Sequence, residues 1–185
     1  MTTLTGARVV LREFTRGDVD ATHAFGSDPV ATRYLDWGPN TVADTAAFLD
    51  RTLAQQGDPD RVVFTLAVTL AASGALIGSC GVEVTDRANQ RASMGYILHR
   101  DHWGRGYATE TARLLVGFAF EELGVHRLQA TCRPENVASA RVLEKAGLRR
   151  EGNLRDHLRV RWVWTDSLLY AVICSDGGPA PGDAG

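Results

Sequence analysis

Residues 99–110 read HRDHWGRGYATE. Gly104, Arg105 and Gly106 stand directly before a long apolar-periodic run, at the point where a helix should begin. Glycine loses more backbone entropy than any other residue on entering a helix, so stability does not explain the pair. A helix start presents unpartnered N–H groups and partial positive charge, and glycines let an anion reach them without meeting a side chain. Arg105 is placed to add a charge-assisted bond. Thr109 breaks the GxGxxG spacing of a dinucleotide site. Only Lys145 among the 20 basic residues is a lysine, so no Walker-type phosphate loop can be assembled. Taken alone, the stretch reads equally as a tight strand-to-helix turn.

Outward from the turn, Ala108, Ala112, Leu115, Ala119 and Leu123 recur at helical spacing until Gly124. Before it, RVVFTLAVTL and ALIGSCGVEV flank AASG as a hairpin, and ASMGYIL adds a third antiparallel strand. The strand entering the turn therefore reads as hairpin-connected, not as part of a parallel βαβ unit. RVVLREF is a strand near the N-terminus, followed by a short helix with Asp18 near its start and a second helix over about 42–56, stopped by Gly57 and Pro59. After Gly124, HRLQATC is a strand, NVASARVLEKAG a helix with Asn136 as N-cap and Gly147 past its end, and LRREGNL and SLLYAVI are strands. The order β, α, α, β, β, β, α, β, α, β, β predicts an α/β (α+β) fold. Its mixed, mostly antiparallel sheet of about seven strands is flanked by four helices.

One domain over residues 1–174 suits a chain of 185 residues, and DGGPAPGDAG makes 175–185 a flexible tail. With 44% apolar and 23% charged residues the composition is that of a globular protein. No apolar run approaches the ~18 residues of a membrane span, and the N-terminus carries charges where a signal peptide needs its apolar core, so a cytoplasmic location without membrane attachment is expected. The net charge of −2 supplies no global attraction to nucleic acid. Cys80, Cys132 and Cys174 lie far apart in apolar runs, which fits neither a disulfide framework nor a zinc knuckle. His99 and His102 have no third ligand near them, and no metal is expected.

DHWGRGYATE, followed by RPENVASARVLEKAGLRREG, resembles the GNAT acetyltransferase superfamily, in particular its RimJ/RimL-like branch of protein N-terminal and small-amine acetyltransferases. The resemblance spans most of the chain, from VVLREF to TDSLLYAVI. It implies a GNAT fold that binds acetyl-CoA as co-substrate, with the pyrophosphate on the amides of Trp103, Gly104, Arg105, Gly106, Tyr107 and Ala108, and with Thr109 following. The superfamily's phosphate signature begins with Gln or Arg and ends in two small residues one apart. Gly106 and Ala108 match, and Trp103 takes the first place. The resemblance further implies a pantetheine arm lying between two splayed parallel strands and pairing with Tyr96, Ile97 and Leu98, positions that suit plain core residues equally well.

Acetyl transfer needs a neutral amine, a stabilised oxyanion and help for the departing thiolate. Many superfamily members supply a tyrosine seven residues after the motif asparagine, where this chain has Leu143. By resemblance Asn136 bonds the pantetheine arm and Ser139 lies near the sulfur, although an N-cap and a first-turn serine would look the same. Glu83, near the end of a central strand, is the candidate base, acting directly or through water if burial raises its pKa. Glu110 reads as structural, favoured by the helix dipole. Arg149, Arg150, Arg155, Arg159 and Arg161 read as a solvated strand edge. The resemblance thus implies an N-acetyltransferase that moves acetyl from acetyl-CoA to a primary amine, a protein N-terminus or a small molecule, in a ternary complex. A homodimer is compatible with it. The alternative is a non-catalytic acyl-CoA-binding module, for which Leu143 speaks.

Overall fold

The computed structural model describes residues 2–176. Eight strands form one sheet: β1 (Thr3–Thr5), β2 (Val9–Glu13), β3 (Val63–Leu70), β4 (Leu76–Asp86), β5 (Arg91–Leu98), β6 (Arg127–Cys132), β7 (Arg149–Val160) and β8 (Val163–Ile173). Their spatial order is β1-β2-β3-β4-β5-β6-β8-β7. Four α-helices accompany them: α1 (Val19–Gly26), α2 (Val42–Gln56), α3 (Tyr107–Glu121) and α4 (Val137–Lys145). The strand beyond the expected seven is the three-residue β1, which pairs with β2.

Strand alternation divides the core. Leu66 and Val68 of β3 join Ala112, Leu115, Phe118 and Ala119 of α3 in the larger cluster, with Phe64 edge-on to Phe118 at 5.3 Å. Ala67 points the other way, into a smaller cluster with Phe14 and Leu49 of α2. The expected apolar face of α3 is the observed one, since Ala112, Leu115 and Ala119 have no exposed surface. Helix α2 starts in a capping box in which the Thr41 hydroxyl accepts from the Asp44 amide and the Asp44 carboxylate accepts from Thr41.

Strand β5 is antiparallel to β4 and parallel to β6, with α3 between β5 and β6. The reading of a strand outside any parallel βαβ unit is therefore corrected: β5 is hairpin-connected on one edge and half of a β5-α3-β6 crossover on the other. A 15-residue helix returns the chain by ~22 Å, enough to bring β6 alongside β5 in the same direction. Pairing between the two is brief. It covers Arg91↔Arg127, Ala92↔Leu128 and Ser93↔Gln129 and then stops, so the strands diverge over the rest of β5.

The β7-β8 hairpin is longer than the sequence indicates, continuing to Val160 and resuming at Val163 around Arg161 and Trp162, which take positive φ of 47° and 70°. Strand β7 is the sheet edge and mostly exposed, so its basic residues carry no apolar periodicity to announce it. The chain stays attached past residue 174, because Asp176 accepts from the Ile173 amide at 3.3 Å and pairs with Arg149 at 3.2 Å. The rest of the expected tail, 177–185, lies outside the described residues.

Asp18 ties the N-terminal segment together. Buried at 7% exposure, it accepts from both terminal nitrogens of Arg12 at 2.8 Å, from the Thr15 amide at 2.7 Å and from the Thr15 hydroxyl at 3.0 Å. Burial alone would raise its pKa; the Arg12 and Thr15 hydrogen bonds outweigh that and hold it below the ordinary 3.8. Asp18→Asn should cost about 2–3 kcal/mol in urea unfolding at neutral pH, because Arg12 loses its partner. A carboxylate depressed on folding stabilises above its unfolded pKa and loses that contribution as pH falls below it. The gap between wild type and variant should therefore close as pH drops below 3.8.

Candidate active site

The turn at the head of α3 depends on its two glycines. Gly104 and Gly106 have φ of +74° and +82°, a region that side chains with a Cβ avoid, and Gly106 is the N-cap. A Cβ on Gly104 would meet nothing within 4 Å. Behind the turn Arg8 closes the structure, with its guanidinium donating to the Arg105 carbonyl at 2.9 Å and lying over the Tyr107 ring at 5.2 Å. Glu110 belongs to the same brace. Its carboxylate accepts from the Arg8 amide at 2.6 Å, from Arg8 Nε at 2.9 Å and from the Val9 amide at 3.2 Å. Burial pushes its pKa up, but these donors prevail and leave it below the usual value. The structural reading of Glu110 stands, with a partner on β2 that α3 alone did not indicate.

A cavity of about 470 Å³ runs from this turn into the gap between β5 and β6 and on to α4. Tyr96, Ile97, Leu98, Trp103, Gly104, Gly106, Tyr107, Ala108, Thr109, Asn136 and Ser139 all line it, as does the buried Leu143. Arg105 does not. Its side chain is exposed and outside the lining, so the turn offers amides here and not a guanidinium. Trp103 is anchored by its indole N–H, which donates to the Leu98 carbonyl at 2.8 Å. Beyond Ser93 the ladder of β5 facing β6 has no strand partner, which leaves extended backbone for a ligand to pair with.

Asn136 caps α4, its side-chain oxygen accepting from the Ser139 amide at 3.2 Å. The Ser139 hydroxyl lies 2.9 Å from the Tyr96 hydroxyl. Burial raises the Tyr96 phenol to about 12, against the lowering effect of the Ser139 bond, so the pair is uncharged at neutral pH. Sequence reading treated Tyr96 only as strand backbone. Its alternation toward α4 was legible, but the serine it meets is 43 residues away in the chain. Cys132 lines the same cavity, and burial pushes its thiol up to about 11, which leaves it un-ionised.

A second cavity, about 920 Å³, opens on the other face of the sheet below α1 and α2. Its floor is built from cross-strand partners Ser79 and Ile97, Gly81 and Gly95, and Glu83 and Ser93. Tyr96, Gly95, Met94, Ile97 and Leu35 line both cavities, so the two meet where β5 leaves β6. Glu83 faces this second space, as expected of a base, but it is exposed and not buried. The burial that the sequence argument supposed for Glu83 is therefore absent, and solvent reaches its carboxylate. Among the described residues, no group of three His, Cys, Asp or Glu is assembled for a metal ion, and no helix is long and apolar enough to cross a membrane.

Residues 8–149 match the family model of the acetyltransferase (GNAT) domain. The chain belongs to the GNAT acetyltransferases. It is 30% identical over 176 residues to an uncharacterized N-acetyltransferase, p20, of Bacillus licheniformis, covering 94% of this chain and 97% of that one. The crystal structure of a GNAT-family acetyltransferase from Bacillus anthracis superposes with a TM-score of 0.82 at 28% identity, over 93% of this chain and 98% of the other. A spermidine N-acetyltransferase from Vibrio cholerae, solved with CoA and spermine, shares the fold at TM-score 0.79 and 19% identity, over 92% of this chain and 98% of that one. As a GNAT acetyltransferase the chain brings its two motif segments, the α3 turn and the start of α4, to the lining of one cleft.

Proposed function

We propose that this acetyltransferase, a single domain over residues 1–174, moves the acetyl group of acetyl-CoA directly onto a primary amine, a protein N-terminus or a small molecule, within a ternary complex. The observation that carries this reading is the Tyr96–Ser139 hydroxyl pair at the junction of the two cavities. The smaller cavity offers helix-start amides for the pyrophosphate, an unpaired β5 edge for the pantetheine arm, and Asn136 beside it. The larger cavity offers the approach for the amine.

The amine attacks the thioester carbonyl, the new C–N bond forms, and the C–S bond breaks to release the thiolate. Glu83, directly or through water, takes the proton that the nitrogen must lose. Ser139, backed by Tyr96, donates to the leaving sulfur in place of the tyrosine that Leu143 replaces. Tyr96 is held neutral and cannot serve as the base. The un-ionised Cys132 makes an acyl-cysteine intermediate unfavourable, which supports direct transfer.

Calorimetric titration with acetyl-CoA, with 3′-dephospho-CoA and NADH as comparators, tests the first requirement. Selective micromolar binding of acetyl-CoA is expected. Absence of binding would reduce the α3 turn to an inherited feature and remove this reading.

A further inference from the structure

Arg133 follows the last residue of β6 and is buried, with 7% exposure. Its Nη1 donates to the Thr165 hydroxyl and, at 3.2 Å, to the Asp166 carbonyl oxygen. Its Nη2 is buried without a hydrogen-bond partner. Among the described residues no carboxylate forms an ion pair with it. The Asp166 carboxylate, its neighbour, is turned to the Asn153 amide group and the Asp156 N–H. A buried guanidinium with an idle donor and no counter-charge is a costly arrangement for a fold to keep without a ligand.

Its location indicates which ligand. Arg133 lies as far beyond Arg127 on one strand as Ile97 lies beyond its register partner Arg91 on the other, so both flank the gap where β5 and β6 have parted. Leu128, Ala130 and Cys132 face the α3 and α4 core, and Arg133 follows them into the smaller cavity, whose Leu35, Tyr96 and Ile97 also line the larger one through which the amine is proposed to approach. It lines the cavity together with Arg33, whose guanidinium stacks on Tyr34 at 4.4 Å and forms no ion pair among the described residues. The adjoining larger cavity carries Asp36, Asp44 and Glu83 against Arg51. The smaller cavity is thus cationic next to the junction, and the larger one, the proposed amine approach, is mainly acidic.

We propose that Arg133 binds a carboxylate carried by the acyl acceptor, so that the preferred substrates are amines bearing both charges, amino-acid-like and not simple polycations. A planar guanidinium suits a carboxylate better than any other basic side chain. This rests on the acetyltransferase reading above.

The test is steady-state acetylation of the free α-amino acids and of the matching amino-acid amides by wild type, Arg133→Gln and Arg133→Lys. For the best acceptor, wild type should prefer the acid over its amide by at least about tenfold in kcat/KM. In Arg133→Gln that ratio should fall to about one, through KM for the acid, with Arg133→Lys between the two; calorimetric affinity for acetyl-CoA and Tm report whether the fold is intact. Equal use of acids and amides, use of neither by protein that binds acetyl-CoA, or a variant that loses both alike would overturn the proposal. A succinyl-CoA arm separates the other source of a carboxylate. If Arg133→Gln loses succinyl transfer while keeping the acid-to-amide ratio, the carboxylate belongs to the donor and the proposal is wrong. Wild type that binds no acetyl-CoA sinks the acetyltransferase reading itself.

Discussion

Ser139→Ala should lower kcat about 100-fold while acetyl-CoA affinity stays within about threefold, the result expected of a hydroxyl that acts, as proposed, on the departing sulfur and not on the bound ground state. Alanine is a good helix former, and the N-cap bond uses the Ser139 amide, which the substitution keeps, so α4 should remain intact. Tyr96→Phe removes the partner 2.9 Å away and should act in the same direction. If the two hydroxyls form one device, the double variant will be little worse than Ser139→Ala alone. Unchanged turnover in Ser139→Ala would remove its assignment to the thiolate. The pH profile adds a separate check. Folding raises the Tyr96 phenol from 10 to about 12, so its neutral form persists in the native state above pH 10, and no alkaline loss of kcat below that pH should trace to it. The same shift means that the stability it contributes is complete below pH 10 and lost as pH rises towards 12.

Gly106→Val should abolish detectable acetyl-CoA binding, a rise in Kd of at least about 100-fold, and should also cost about 2–3 kcal/mol of stability. The residue sits at φ +82°, and its Cβ would stand 3.1 Å from the Arg8 Nη2. Displacing Arg8 disturbs the Arg105 carbonyl and the Glu110 carboxylate together, and with them the N–H groups at the head of α3. Gly104→Ala provides the contrast. Its φ is +74° but its Cβ would have open space within 4 Å, so the fold should lose only about 1 kcal/mol. The new methyl still enters the cleft, and Kd should rise about tenfold. Calorimetry and urea unfolding on both variants separate the two effects. Binding by Gly106→Val at wild-type affinity would show that the amides of this turn do not hold the cofactor.

Local pattern made much of the fold readable. Val9 and Leu11 alternate into the core, Ala112, Leu115 and Ala119 keep helical spacing, and Asn136 and Gly57 mark a helix start and a helix end at the positions observed. These signals depend on near neighbours, so the chain carries them without its tertiary structure. Edge strands escaped. Thr3–Thr5 is too short to show a period, and the outer half of β7 is charged on an exposed edge where no apolar face is required.

The glycine turn before α3, the N-cap asparagine and the serine three residues later were legible because each sits in a short contiguous motif. What those groups touch was not. The Glu110 brace spans 102 residues to Arg8, the Tyr96–Ser139 pair spans 43, and the exposure of Glu83 depends on how α1 and α2 leave the sheet face open. Sequence by itself determined which residue types stand at strand ends and helix starts, since backbone conformation and capping are local energies. Only the tertiary structure decided which of them meet and which stay wet. Burial, hydrogen-bond completion and the divergence of β5 from β6 arise when distant segments compete for the same space, and that competition has no period along the chain.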